Sequence, residues 1–323
     1  MKIVEPFVSV MCQPVEPTAV MRHIEKCGRI CYKSEHKAKD DSYMGFIKRI
    51  IERGHEAVLE HGNLIIGLGF GDDGGHELAY KWIKGLNAAF NAAYVTPYYR
   101  RTSSSDTDII SGNIRAWRDI LRVCKDMGLG IPDGVHAILK RYGVLFEDVL
   151  QGVEVINFGM KARVLFPDEL FGEEYKKHVT ATCLFVCDRG VSHEIVRHRP
   201  ASFCQESTRY CNYAKEQFGH EISIIMPKCF APNSVMYGTF MEAAVMAERY
   251  YFDLLNDGAT AQEARAVLPN CLKTELAMTA TVEEWLHFFK QRCSEAAHPQ
   301  MREMATQARE HMKIAMPRIG EWL

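Results

Sequence analysis

Arg197-His198-Arg199-Pro200-Ala201-Ser202-Phe203-Cys204-Gln205-Glu206-Ser207-Thr208-Arg209-Tyr210 gathers three arginines and three Ser/Thr hydroxyls into fourteen residues. Adjacent basic side chains repel if they point the same way; in a loop or strand they diverge toward two bound groups. The planar fork of a guanidinium matches phosphate better than the point charge of lysine. Ser207 and Thr208 can hydrogen-bond the same oxygens, and Pro200 keeps the chain out of a helix just after the basic cluster. Two readings compete. In one the segment is a solvated turn whose arginines pair with Glu194, Glu206 and Glu216. In the other it is a half-buried anion site. Phe203 and Cys204, set between the polar residues, favour the second, because buried arginines need anionic partners.

Composition sets the frame around that segment. The chain has 323 residues, 47% hydrophobic and 25% charged, which is ample for a substantial core and close to an average globular protein. The formal net charge of -2 gives no global basic excess, so any anion site is local. Apolar runs such as Leu64-Ile65-Ile66-Gly67-Leu68 are strand-sized and too short to cross a bilayer. The first eleven residues roughly alternate apolar and polar and lack a basic leader with a long apolar core, so no signal peptide is expected. Eleven cysteines without a Cys-x-x-Cys read as reduced, mostly buried thiols in a cytoplasmic protein, and no metal site is expected.

Periodicity predicts a strand over residues 1–11 and helices over Thr18–Ile30 (Val20, Ile24 and Cys27 inward) and Asp41–Arg53 (Met44, Ile47, Ile50 and Ile51 on one face). A buried strand over Asn63–Phe70, a turn at Gly71–Gly75 and a helix over His76–Tyr94 follow. Ser103-Ser104-Ser105-Asp106 is loop chemistry. Helices are expected at Gly112–Asp126 (Trp117, Ile120 and Leu121 inward) and Val135–Leu150, with a break at Gly128–Gly134. Ala181–Val186 reads as a strand and Val191–Val196 as a short helix leading into the arginines. Asn233–Asn256, Ala261–Leu268, Val282–Glu295 and Gln300–Ala315 make a helical C-terminal third. Without a Pro/Gly/Ser linker or repeat, the expectation is an α+β chain, one mixed α/β domain over 1–323.

Arg-His-Arg, seven residues, then Ser207-Thr208-Arg209-Tyr210 resembles the signature of flavin-dependent thymidylate synthases. Other segments agree in order: Cys31-Tyr32-Lys33-Ser34, Gly54-His55 through Leu59-Glu60-His61, Arg265-Ala266-Val267-Leu268-Pro269, and Leu286-His287-Phe288-Phe289-Lys290-Gln291-Arg292. Residues of about 72–180 look like an expansion relative to compact members. The resemblance implies a homotetramer that methylates dUMP to dTMP, with methylenetetrahydrofolate as one-carbon donor, NADPH as reductant and FAD as cofactor. It implies a dUMP set of Glu194, Arg197, Gln205, Glu206, Ser207, Thr208, Arg209 and Arg265. The implied FAD set is Asn63, Arg197, His198, Arg199, Gln205, Thr281 and His287, with His61 and Tyr210 at the flavin and folate border. Arg292 is the implied catalytic residue, placed against the uracil to stabilise negative charge around N3. No cysteine nucleophile is implied, and Cys204 reads as packing. Two positions depart from the family pattern: Glu194 stands where Gln is common, and Glu283 where many members carry Arg.

Two other patterns are weaker. Gly69-Phe70-Gly71-Asp72-Asp73-Gly74 matches a dinucleotide-loop spacing, but Asp72 and Asp73 would oppose a pyrophosphate and no βαβ unit follows. A nucleic-acid-binding module with Tyr210, Tyr213 and Phe218 as stacking surfaces is the rival from another class; the near-neutral charge argues against it. Within the same fold, a relative acting on a different pyrimidine nucleotide is the remaining alternative. No nucleic acid and no membrane partner are expected.

Overall fold

A computed structural model describes residues 1–69, 75–105 and 107–323. In chain order the first elements are β1 (Lys2–Ile3), β2 (Phe7–Cys12), α1 (Pro17–Ile30), α2 (Ser42–Glu52), β3 (Asn63–Leu68), α3 (Gly75–Ala92), β4 (Tyr99–Ser103), β5 (Asp108–Asn113) and α4 (Ile114–Met127). Next come β6 (Ile131–Pro132), α5 (Asp133–Lys140), α6 (Glu147–Leu150), β7 (Val155–Ile156), β8 (Ala162–Val164), α7 (Gly172–His178), β9 (Thr180–Asp188), α8 (Arg189–Ile195) and β10 (Ser202–Gln205). The chain closes with β11 (Ser223–Ile224), α9 (Val235–Asn256), α10 (Ala261–Ala264), β12 (Lys273–Thr281), α11 (Val282–Arg292) and α12 (Pro299–Ala315). The Gly69–Gly74 pattern and the turn before α3 lie largely outside the described residues, as does Asp106.

Two four-stranded antiparallel sheets organise these elements. The first has the order β10-β12-β9-β2, and the second β4-β5-β3-β8. Strand β3 shows how they share the interior. Its residues are buried on both faces: Leu64, Ile66 and Leu68 join a core with α1, α2 and α4, while Ile65 joins Ile109 in the core that holds β9, α11 and α12. That is the period-two alternation of a strand between two apolar layers. The segment 72–180 is therefore woven into the molecule, since β4, β5 and β8 pair around β3.

The mixed α/β expectation holds, with local corrections. Lys273–Thr281 is a central strand within the otherwise helical C-terminal third, and the sequence reading has no strand there. Leu276, Ala277 and Met278 favour helices intrinsically, but flanking strands on both sides outweigh that preference. The helix expected from Gly112 begins at Ile114, because Asp108–Asn113 pairs with β3 and Asn113 caps the helix by accepting from Ala116 N at 2.8 Å. Gly128, at φ 64°, closes α4 as a left-handed cap. The continuous helix expected over Val135–Leu150 is broken into α5, a 3-10 turn and α6, with Gly143 at φ 51° in the break. In α2 the inward face is Phe46, Ile47 and Ile50, and Met44 points to solvent. The expected N-terminal strand is two, and β1 pairs with β11 instead of joining the first sheet.

A buried polar chain crosses the first sheet. His61 Nδ1 meets Thr279 Oγ1 at 2.7 Å, Thr279 meets Thr182 at 2.6 Å, and Thr182 meets His23 Nε2 at 3.0 Å. Burial holds both imidazoles neutral, pushing His61 down to about 3 and His23 down to about 4. His178, between Thr102 and Ser111 hydroxyls, is likewise pushed down to about 4 by burial. The unfolded chain takes up these protons near the ordinary value of 6.5, and the folded chain only near 3 to 4. Their contribution to stability is therefore complete above about pH 6.5 and is lost as the pH falls toward 4. Urea midpoints measured from about pH 7 down to about pH 4.5 are expected to fall. Replacing Thr279 by Val, which leaves buried His61 Nδ1 without its hydroxyl partner and Thr182 with His23 alone, is expected to cost about 1–3 kcal/mol at neutral pH in the same assay.

Candidate active site

Asp188 ends β9 and caps α8, accepting from Val191 N at 2.7 Å; Thr281 ends β12 and caps α11 through Glu284 N at 3.4 Å. Because β9 and β12 are antiparallel, the two helices start at opposite ends of the strand pair, and they meet at their C-terminal turns. There Arg292, the last residue of α11, donates from Nε to His198 Nε2 at 2.9 Å, from Nη1 to Glu194 Oε2 at 2.7 Å and from Nη2 to the Glu194 carbonyl at 3.2 Å. His198 packs edge-on against Phe288 at 4.8 Å between ring centroids and lies 6.3 Å from His287. Burial first, then the Arg292 charge and His287, push its imidazole down to about 4. It is thus neutral at physiological pH, as an acceptor from Arg292 must be.

The motif continues into β10, whose register against β12 pairs Phe203 with Met278 and Gln205 with Leu276. Cys204 faces the core at 2% exposure. Gln205 Nε2 donates to Ser192 Oγ at 2.8 Å and Thr274 Oγ1 at 3.2 Å. Glu206 is buried; it accepts from Lys273 Nζ at 3.1 Å and from the Tyr213 hydroxyl at 3.3 Å. Lys273 also holds Glu275, which Lys33 reaches at 2.8 Å. Thr208 is buried, while Arg209 and Tyr210 are exposed, with the Arg209 guanidinium 5.4 Å from the Tyr210 ring centre.

The N-terminal segments that carry the family resemblance fold against this motif. Ser207 N donates to the Cys31 carbonyl at 3.1 Å. Tyr32 and Tyr210 lie 5.2 Å apart, and Tyr32 OH meets His55 Nδ1 at 3.2 Å. Ser202 Oγ donates to Glu60 Oε2 at 3.0 Å. Sequence reasoning missed Lys33, Lys273 and Glu275 as the ionic support of Glu206, and Ser192 and Thr274 as the partners that aim Gln205. Only Lys33 had a local signal, its place beside Tyr32 in the resembling segment.

The expected residues divide into an open front and a buried support. Arg197, Arg199, Arg209, Arg265, Tyr210 and His287 are exposed. Among the described residues none of those four arginines forms an ion pair. The solvated-turn reading is corrected on this point: Glu194 pairs with Arg292, and Glu206 with Lys273. His287 contacts the Gln291 side-chain amide at 2.9 Å. His61, Asn63 and Thr281 stand behind this front. Asn63 Nδ2 donates to the His178 carbonyl at 3.0 Å and to Gln13 Oε1 at 3.3 Å, and the Thr281 hydroxyl caps α11. Arg265 is exposed on the 3-10 turn after α10, which packs beside α9. Tyr213 is buried against Tyr251 and Phe218, so it is no stacking surface.

Unpaired exposed guanidiniums beside a neutral imidazole suit a di-anionic pyrophosphate and a nucleotide phosphate, since each brings donors without a competing carboxylate. Arg197 and Arg199 leave their donors open at this front, whereas His287, Asn63 and Thr281 have side chains already engaged within this chain.

Residues 173–318 match the family model described as thymidylate synthase complementing protein. The chain is similar to a flavin-dependent thymidylate synthase of Geobacter sulfurreducens, 33% identical over 131 residues that cover 41% of this chain and 55% of that protein. It is similar to one of Pyrococcus furiosus, 30% identical over 43% of this chain and 57% of the relative, and to one of Corynebacterium aurimucosum, 32% identical over 40% and 56%. The matches span just over half the length of these curated relatives. The matched stretch runs from α7 through α12 and holds β9, β10, β12, Glu194 and Arg292, so three of the first sheet's four strands and the arginine cluster fall inside it, while β2 lies outside. Residues 173–318, somewhat under half of the chain, are thus similar to the thymidylate synthase complementing protein family, and Glu194, Arg292 and the Arg197–Tyr210 segment lie within that stretch.

Proposed function

We propose that this site carries out flavin-dependent thymidylate synthesis, the reductive methylation of dUMP to dTMP with methylenetetrahydrofolate and NADPH as co-substrates and FAD as cofactor. The observation that supports it best is the convergence of Arg292 on the Arg197–Tyr210 segment: residues nearly a hundred positions apart meet through His198 and Glu194. A guanidinium held this way has, of its five N–H donors, two left to face a nucleobase. Those donors would stabilise the negative charge that builds on uracil as C5 becomes nucleophilic. Gln205, Ser207, Thr208 and Arg209 would hold the nucleotide, Arg209 at its phosphate, with Glu206 beneath them and Arg265 as a further contact. Arg197, His198, Arg199 and His287 would hold FAD, which supplies hydride transfer when bound.

The chain is read as one catalytic domain over 1–323, in which the second sheet built from 72–180 props β3, Asn63 and His61 behind the site. Homotetramer assembly has a structural basis in α9. This 22-residue helix buries only Ala244 and Tyr251, and leaves Val235 at 86%, Met236 at 58%, Val245 at 47% and Tyr250 at 50% exposure. Such an apolar helix surface is the kind that a second copy covers. The chain has no helix, among the described residues, long and apolar enough to cross a membrane, and cytoplasmic placement is part of the same reading. The runner-up is one-carbon transfer to another pyrimidine nucleotide, because the site reports nucleotide binding more directly than product.

Purified protein is expected to show flavin absorption that bleaches on anaerobic addition of NADPH, with dUMP changing the rate; colourless protein that takes up no FAD overturns the reading. Product analysis with dUMP and dCMP separates the two nucleotides. Arg292→Ala is expected to keep flavin absorption and to lose dUMP methylation by about a hundredfold or more in kcat. Cys204→Ala is expected to retain most of the turnover; complete loss with an intact fold would reinstate a thiol mechanism.

A further inference from the structure

Glu194 takes Arg292 by two atoms at once, the carboxylate Oε2 at 2.7 Å and the main-chain carbonyl at 3.2 Å. The pair is neither free in water nor sealed: the side chains are 29% and 20% exposed. On its other edge Arg292 is fixed by His198, which packs on Phe288 and is itself 9% exposed. The guanidinium is thus pinned on three sides, and its charge is cancelled before any ligand arrives. The remaining arginines of the motif, Arg197, Arg199 and Arg209, have no such partner among the described residues. This contrast singles out Arg292, whose placement is set by a neighbouring acid.

We propose that Glu194 is a positioning residue that clasps Arg292 against His198 and masks its charge, so that an anionic pyrimidine nucleotide meets the two remaining donors with that charge already offset. This rests on the dUMP reading of the site. Its consequence is a weakened ground-state grip on the nucleotide together with a fixed guanidinium, held by the carboxylate, the carbonyl and His198. Glutamine at 194 can still accept from Nη1 but carries no charge, which separates the two roles. Alanine removes both.

The test uses the purified holoprotein with Glu194→Gln and Glu194→Ala, each checked for folding by circular dichroism. First, arginine-specific labelling with phenylglyoxal, mapped by peptide mass, is run without nucleotide. Arg292 is expected to label several times faster in both variants than in the parent, with Arg197 and Arg199 unchanged. Second, equilibrium titration with dUMP is expected to give a Kd about two- to fivefold lower for Glu194→Gln, the effect of an ion pair at this exposure. Third, Glu194→Ala is expected to lower kcat more than it changes KM, and Glu194→Gln, which can still accept from Nη1, to recover part of that loss. Equal Arg292 labelling in parent and Glu194→Gln, or dUMP binding that is unchanged or weaker in Glu194→Gln, overturns the clasp. If the parent fails to bind dUMP while Glu194→Gln still speeds Arg292 labelling, the dUMP reading falls and the clasp stands.

Discussion

Nine consecutive residue pairs, from Lys273 opposite Asp188 to Thr281 opposite Thr180, join β12 to β9, and the site hangs from this ladder. Each strand ends in a capped helix, so the ladder's register decides where α8 and α11 begin. Their lengths then decide that Arg292 reaches Glu194 and His198. On its other edge β12 holds β10, and with it the polar half of the motif. A slip of one residue would turn Thr279 away from Thr182 and His61 and present the opposite set of side chains to the core. The buried hydroxyl and imidazole chain is the counterpart of that register: the contacts of His61 Nδ1, Thr279, Thr182 and His23 form only in this pairing, and burial of unmatched polar groups makes other pairings costly.

The layering of the site follows from how charge tolerates burial. Glu206 lies in the interior, and Lys273 and Tyr213 meet its oxygens there. His198 and His61 lie in the interior as neutral imidazoles. Arg197, Arg199 and Arg209, always charged and ion-paired with no carboxylate among the described residues, remain at the surface. Arg292 stands between these layers, half enclosed and paired. Open donors thus lie over a largely hydrogen-bonded support, an arrangement that limits reorganisation when charge appears nearby.

Residues 72–180 give this support depth. Their strands complete a sheet around β3, whose first residue, Asn63, ties Gln13 to the His178 carbonyl. Gln13 in turn receives Thr180 N at 2.8 Å, at the start of β9. The second sheet thus braces the strand pair that carries the site. Arg118, fully buried on α4, adds rigidity at the far side by holding Asp148 and Glu56 and the Leu145 carbonyl.

By itself the sequence determined what local pattern can determine. Helical spacing of Val20, Ile24 and Cys27, or of Trp117, Ile120 and Leu121, marks faces that are indeed buried. Arginines and hydroxyls crowd residues 197–210, and the match of residues 173–318 agrees with the family that this segment resembles. Interactions between distant residues are absent from local pattern. Lys273–Thr281, rich in helix formers, becomes a strand because two partner strands flank it. Glu194, four residues before His198 in sequence, pairs with an arginine at the end of another helix. Lys33 and Lys273 reach the Glu206 cluster from segments far apart in sequence. Only the tertiary structure decided these, since intrinsic preference acts over a few residues, whereas strand pairing and charge compensation are set by which distant segments the core brings into contact.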